Sequence, residues 1–390
     1  MKKKLLFLAA FLPASNAAQA GQKTAFRNLT WLQESFDITI GAFRNETDRA
    51  PEERRLRDLC EEIYIEPLSN AGRIQGLLGH PTLPLQVAAR RTNRMAQWVQ
   101  AVIARRMFDR VHFEWSQMLT YQEWARQIPC RTVYVHDVLS QWAARRALNR
   151  GFPWKLEERR CSRWERQAYD VCHKIFVPSA KDGQLIESIR PSLRGRIAML
   201  PLQFDRYGPC DSSSARMALR LLFWGALSRE ENASAARWVI REILPRLNQP
   251  GTVFHLTIAG SNPPKDIVAH QSHNLTVPGF VEDPDRFFKE GHLAILPIFD
   301  GAGVKVKVLE CLAAGLPVLT TTIGAEGISA GADDGLIVLP PRPGEFVAQI
   351  ERLASNDAER KRLSEGALRW GQRQSEDHRS ILMHAVPMSR

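Results

Sequence analysis

"MKKKLLFLAAFLPASNAAQAGQKTAFRNLTWL", residues 1–32, decides what the remainder of the chain can build. Lys2, Lys3 and Lys4, the apolar run Leu5–Leu12 and the small-residue site Ala18-Gln19-Ala20 follow the layout of an export signal. The same residues also spell a buried strand, a turn and a helix, because Ala25, Phe26, Leu29 and Leu32 share one face of a helix over 21–34. If the chain were cut after Ala20, the first domain would begin on a helix and lack the strand that such a sheet places at its centre. The first twenty residues are therefore expected to stay and to form the first strand.

Working outward, short apolar, β-branched runs alternate with longer amphipathic stretches to the end of the chain. Strands are expected at 4–12, 37–43, 62–68, 109–115, 131–137 and 173–179 in the first half, and at 219–225, 253–260, 274–280, 292–298, 317–321 and 335–340 in the second. Helices are expected at 21–34, 97–107 and 117–127, over 137–170 with a break at Gly151 and Pro153, and at 230–247, 284–290, 304–314 and 343–354. The pattern is β-α-β throughout. It predicts an α/β protein of two Rossmann-like, doubly wound parallel-sheet domains facing each other across a cleft, at 1–205 and 216–355. A polar segment at Asp211–Ser214 reads as the linker, and 356–390 as a helical segment returning to the first domain.

Composition narrows the function classes. With 390 residues, 44% hydrophobic and 24% charged, the chain is long enough for two cores. No run reaches the roughly 18 uncharged apolar residues that a membrane-spanning helix requires. The net charge of +11 is uneven: residues 1–200 hold 32 Lys and Arg against 20 Asp and Glu, and residues 201–390 hold 21 against 22. The first half therefore suits an anionic partner, although solubility explains the charge equally well. The six cysteines form no C-x-x-C pair and have no metal-ligand spacing, as expected of thiols in a reducing compartment.

Three segments could carry chemistry at the carboxyl ends of the strands. In "SNAAQAGQK" (15–23), Gly21 would let a ligand approach the backbone, and an ordinary strand-to-helix turn fits as well. In 299–328, Gly301 and Gly303 open a helix directly after a strand, which presents N–H groups to an anion. Gly303, Lys307, Glu310 and Ala314 then share one helical face. Phosphate at the glycines, a lysine one turn in and a carboxylate two turns in would suit a nucleotide. A surface Lys–Glu pair fits the spacing equally. In "TVYVHDVLSQWAARR" (132–146), His136 closes a strand, either as a structural group or as an imidazole placed to bond a hydroxyl or move a proton. Glu114 closes another strand and reads as an acceptor contact. Asp283-Pro284-Asp285 reads as a helix cap and not a metal site; no metal is expected.

The run Gly301–Val318 resembles the nucleotide-sugar site of family 4 glycosyltransferases of the GT-B fold, bacterial polysaccharide type, whose pattern is G-x-G-x-[RK]-x-K-x-x-E-x-x-A-x-G-x-P-V. Weaker similarity covers 221–245, like the strand and helix opening a donor domain, and 277–288, like the loop that holds the base. The resemblance implies that Glu310 binds the donor ribose and that the backbone of Gly303, Val304 and Lys305 meets the diphosphate. It further implies that Phe280 and Val281 border the base, that Gly21 faces the diphosphate from the other domain, and that His136 reaches the donor sugar. An arginine and a lysine that grip phosphate in many relatives are replaced here by Ala226 and Asn232, so Lys305 and Lys307 are expected to supply the charge. A glutamate that touches the sugar is replaced by Ala302.

The expectation is a cytoplasmic, hexosyltransferase-like enzyme that moves a sugar from a nucleoside-diphosphate donor to a saccharide or lipid-linked acceptor, with retention implied by the resemblance. No cofactor beyond the donor and no nucleic-acid partner are expected. The basic first half would dock peripherally on anionic lipid at the inner face of the cytoplasmic membrane. A nucleotide-sugar epimerase or a phosphorylase of the same fold, and a non-catalytic sugar- or nucleic-acid-binding protein, remain the alternatives.

Overall fold

The computed structural model describes residues 2–15, 17, 20–45, 51–202, 218–248, 250–301 and 303–384. The expected linker at Asp211–Ser214, Ala302 and part of the Ala18-Gln19-Ala20 site lie outside the described residues. The chain divides into two compact units, Met1–Gln203 with Asp377–Arg390, and Phe204–Glu376.

In the first unit, seven strands form one parallel sheet: β1 (Lys3–Ala9), β2 (Phe36–Arg44), β3 (Glu62–Pro67), β4 (Arg110–Glu114), β5 (Cys130–Tyr134), β6 (Lys174–Val177) and β7 (Ile197–Met199). Their order is β3-β2-β1-β4-β5-β6-β7. β1 lies inside the sheet, in register with β2 from Lys3↔Phe36 to Ala9↔Ala42 and with β4 from Leu5↔Arg110 to Ala9↔Glu114. Leu5 through Ala10 are fully buried without a gap. An uninterrupted apolar run suits this place, since successive side chains point to opposite faces and both faces are covered. The helix Ala20–Leu32 then buries Ala25, Leu29 and Leu32.

The second unit repeats the scheme with β8 (Ala218–Trp224), β9 (Val253–Ala259), β10 (Leu275–Gly279), β11 (Leu293–Leu296), β12 (Val318–Thr320) and β13 (Leu336–Val338), ordered β10-β9-β8-β11-β12-β13. This is the 3-2-1-4-5-6 order of a doubly wound sheet. In both units the winding reverses beside the first strand, between β1 and β4 and between β8 and β11.

Several expected elements differ in detail. The helix expected at 117–127 is a tight 3₁₀ segment at Ser116–Tyr121 followed by turns. The helix expected over 230–247 is α-helical only at Glu230–Trp238; it widens to a π turn at Val239–Ile243 and tightens over Leu244–Arg246, where Pro245 cannot donate a hydrogen bond. The helical window 137–170 does break at Gly151, into Leu139–Arg150 and Phe152–Ala168. The segment after 355 is a helix over Asp357–His384. No described helix is long and apolar enough to cross a membrane.

The position of β1 makes a thermodynamic prediction. Leu6→Ala removes buried volume between β2 and β4, and should cost about 2–5 kcal/mol in the denaturant unfolding of the first unit. Lys3→Ala, at the exposed start of the same strand, should stay within about 0.5 kcal/mol.

Candidate functional site

In the second unit, the segment after β11 is anchored before it turns. Thr321 Oγ1 donates to the Ile298 carbonyl, and the Phe299 ring packs edge-on against Trp238 at 5.2 Å. Gly301 and Gly303 follow with φ of 114° and 73°, a region that residues with a Cβ rarely adopt. Lys305 then caps the helix Val306–Ala313, and its buried ammonium folds back to donate to the Gly303 carbonyl at 2.6 Å. The first N–H groups of that helix have no intrahelical acceptor and carry the positive end of its dipole.

Lys307 and Glu310 are not the surface pair that their spacing allows. Lys307 is half-buried and donates to Asn232 Oδ1, while Asn232 Nδ2 donates to the Ala226 carbonyl at 2.7 Å. Ala226 and Asn232, which stand where many relatives grip phosphate, are therefore joined to Lys307 in one chain of hydrogen bonds. Burial, with the Arg229 charge in addition, lowers the Lys307 ammonium pKa to about 7. Glu310 is buried, and its Oε2 accepts from Trp224 Nε1 at 2.7 Å. Trp224 in turn packs on Phe287 and Phe288, at 5.3 and 5.1 Å, in the helix Pro284–Lys289. Asp283 caps that helix through the Arg286 N–H at 3.1 Å, as read from the sequence, and Asp285 pairs with Lys289.

Gly303, Lys305, Lys307 and Glu310 are thus gathered at the carboxyl end of β11, with Val304 half-buried in the turn. Phe280, 61% exposed, and half-buried Val281 follow β10 on the same edge of the sheet. The strand ends there are tied by Gly260 N–H to the Gly279 carbonyl at 2.8 Å and Leu227 N–H to the Ser261 carbonyl at 3.0 Å.

The first unit gathers a second constellation where β1 and β4 part. His136, after β5, is buried, and its ring stacks on Trp115 at 4.3 Å. Gly21 opens the helix Ala20–Leu32 so close to both that a Cβ there would stand 2.9 Å from Trp115 Cζ2 and 3.3 Å from His136 Nδ1. Trp115 itself holds φ 72°, a strained value for a residue with a side chain, costing on the order of 1–3 kcal/mol. Strain of this kind persists where the surroundings impose it, and here the ring is clasped between His136 and Phe11.

Glu114 is not exposed for an acceptor contact. It is fully buried behind His136, with Oε1 2.6 Å from His136 Nε2 and Oε2 2.9 Å from His112 Nε2. Asn28, on the helix that Gly21 opens, donates to Oε2 at 3.4 Å. A carboxylate only accepts, which assigns the proton of each imidazole to Nε2. His112 Nδ1 then accepts from the Thr132 hydroxyl at 2.8 Å, and His136 Nδ1 lies on the side of Gly21. Burial works to raise the Glu114 carboxyl pKa, but the hydrogen bonds from His112 and His136 outweigh it and lower the value to about 2. Burial lowers the pKa of His112, which fits its neutral form. His112 and Trp115 carry no signal in the sequence, since both read as strand residues. Among the described residues, no group of acidic, histidine or cysteine side chains is placed to hold a metal ion, and the five described cysteines are buried free thiols.

Residues 218–356 match the family model described as glycosyl transferases group 1. No curated protein sequence matches the chain significantly. Among solved structures, the chain is similar to HepE of Anabaena in complex with UDP and glucose, at 12% identity over 98% of each chain with a TM-score of 0.66. It is similar to the sucrose-phosphate synthase of Thermosynechococcus elongatus, at 14% identity over 98% of this chain and 97% of that one, with a TM-score of 0.68. It is also similar to WaaG, a glycosyltransferase of lipopolysaccharide biosynthesis, at 16% identity over 98% of each chain with a TM-score of 0.64. At these identities the likeness is one of fold.

The Glu114 cluster sets a pH dependence. Its pKa is lowered from 4.5 to about 2 in the folded state, so between these values the unfolded chain holds a proton that the folded one does not. The stabilisation is fully present above pH 4.5 and is lost as pH falls toward 2. Denaturant unfolding across that range should show this slope, and Glu114→Gln should flatten it.

Proposed function

With residues 218–356 a glycosyl transferases group 1 domain in a chain of the GT-B fold, we propose that the protein transfers a sugar from a nucleoside diphosphate to a saccharide or lipid-linked acceptor. The observation that carries the proposal is the turn after β11, where two glycines and Lys305 lead into a helix whose Lys307 and Glu310 follow, the carboxylate held by Trp224. The diphosphate is assigned to the backbone of Gly303, Val304 and Lys305, with Lys307 supplying the charge that Ala226 and Asn232 lack. The ribose hydroxyls are assigned to Glu310, whose Oε2 is oriented by the indole N–H, and the base to Phe280 and Val281.

Departure of the sugar builds negative charge on the diphosphate. Preorganised N–H groups and ammonium groups aimed at that charge lower the barrier without reorganising. His136 is assigned the donor sugar, its Nδ1 accepting from a hydroxyl while Glu114 fixes its tautomer, and Gly21 the diphosphate. Retention of configuration is part of the proposal, as the family resemblance implies it. The reading calls for no metal and no cofactor beyond the donor.

Two experiments test these assignments. Calorimetry with UDP and GDP should show binding to the wild type, weakened about 10- to 100-fold in Glu310→Ala, the scale of hydrogen bonds to a charged group. His136→Ala should keep that binding within a few-fold and lower turnover about 10²- to 10⁴-fold. Unchanged nucleotide affinity in Glu310→Ala, or unchanged turnover in His136→Ala, contradicts the corresponding role. Because the Lys307 pKa is lowered to about 7, a diphosphate bound above that pH should draw a proton onto the amine. The binding enthalpy at pH 8 to 9 should then vary with the ionisation enthalpy of the buffer, and this variation should vanish in Lys307→Met.

A further inference from the structure

One face of β4 carries a polar chain that runs the length of the strand. Successive side chains point to opposite faces, so Arg110, His112 and Glu114 share one face, in register with Cys130, Thr132 and Tyr134 of β5. Arg110 Nε donates to Thr132 Oγ1 at 3.1 Å, and Thr132 Oγ1 donates to His112 Nδ1 at 2.8 Å. His112 and His136 then donate to the two oxygens of Glu114, at 2.9 and 2.6 Å. All five residues are buried. The direction of the chain is fixed at both ends, because a guanidinium can only donate and a carboxylate can only accept.

Arg110 is the member whose presence stability does not explain. Its guanidinium lies 5.9 Å over the Phe36 ring, and its Nη1 and Nη2 have no hydrogen-bond partner among the described residues. Burial lowers its pKa to about 10, which leaves it charged at neutral pH. A buried charge with unpaired donors costs a fold free energy, and an apolar side chain of similar volume often does as well or better.

The use of Arg110 lies further along the chain. Glu114 is shared by two imidazoles, and of these His136 is the one that borders Gly21. The neighbouring strands face His112 with Phe7 at 5.1 Å, Phe176 at 6.3 Å and the Thr132 hydroxyl, so the charged or titratable groups acting on it are Arg110, Glu114 and His136. Burial lowers the His112 pKa; the hydrogen bond and charge of Glu114 work to raise it, and the Arg110 charge works against them. Without Arg110, Thr132 Oγ1 would be free to accept from a protonated Nδ1. His112 and Glu114 could then close as an ion pair, and the carboxylate would be neutralised from behind.

We propose that Arg110 is a positioning residue for His136, acting through Thr132 to hold His112 neutral. The charge of Glu114 is thereby reserved for His136, whose ring keeps its proton on Nε2 and turns Nδ1 toward Gly21. The inference deepens the assignment of His136 to the donor sugar and rests on that reading for its use in transfer; the arrangement of protons stands without it.

The test is nitrogen-15 NMR of the full chain labelled in its histidine rings, from about pH 8 to pH 5, with denaturant unfolding and UDP calorimetry on the same proteins. In the wild type, His112 should carry a proton at Nε2 alone throughout. Arg110→Met should unfold at the same denaturant concentration as the wild type or a higher one, and its His112 should take up a second proton, at Nδ1, within that range. The His136 Nε2–H proton should then move to higher field, as its hydrogen bond to a neutralised Glu114 weakens. Arg110→Gln, also uncharged, should give the same spectra and decides the matter if the methionine variant does not fold. A wild-type His112 that is already doubly protonated in this range, or a His112 that stays singly protonated once the Arg110 charge is removed, overturns the inference. So does an Arg110→Met protein that unfolds more readily with both rings unchanged, the result of a merely structural arginine. UDP binding, assigned to the second unit, should be unaltered in both variants. Its absence from the wild type refutes the donor reading alone, whereas normal UDP binding beside a contrary His112 result refutes the positioning role alone.

Discussion

Within each sheet all strands run parallel, so each unit empties all its strand-to-helix turns onto one edge of its own sheet. Because the winding reverses beside the first strand, the turns after β1 and β4, and after β8 and β11, lead to opposite faces and leave backbone uncovered between them. The rest of the architecture serves that opening. A central strand such as β1 must be apolar on both faces to hold the sheet together, and the ends of β1, β4 and β5 then lead to Gly21, Glu114 and His136. Leu5–Ala10 satisfy this demand with six consecutive buried side chains.

Glu114 and His136 at one opening, and Glu310 and Lys307 at the other, are each tied to a partner. Glu114 is buried completely, yet stays ionised because two imidazoles and an amide donate to it. An isolated buried carboxylate would take up a proton. Lys307, by contrast, is left with a neutral amide as its partner, and burial disfavours its charge. The two sites therefore differ in kind. One is satisfied internally and holds an imidazole in a single tautomer, while the other has an amine poised to gain charge when an anion arrives.

Much of this could be read from the sequence, because period and punctuation are local. The strands showed as apolar runs, several of them longer than the strands that form, the break at Gly151 as a glycine two residues before Pro153, and the turn after β11 as two glycines ahead of an amphipathic run. The remainder depends on contacts distant in sequence or on geometry without a residue signature. β7, Ile197–Met199, is too short to show a period. Pro51–Leu59 is so polar, with Leu56 the only buried apolar side chain among the described ones, that no apolar face announces it. The Lys307–Asn232 and Glu310–Trp224 pairs join residues 75 and 86 positions apart. Trp115 looks like any aromatic at a strand end until its φ of 72° and its stacking on His136 are seen.

The central claim is that the backbone opened by Gly301 and Gly303 receives a nucleoside diphosphate. Amide hydrogen exchange of the full chain, with and without saturating UDP, addresses it directly. The account predicts slowed exchange over residues 303–308, the turn and the first helical N–H groups. Saturation of UDP binding with exchange there unchanged, and protection appearing elsewhere in the chain, would contradict it.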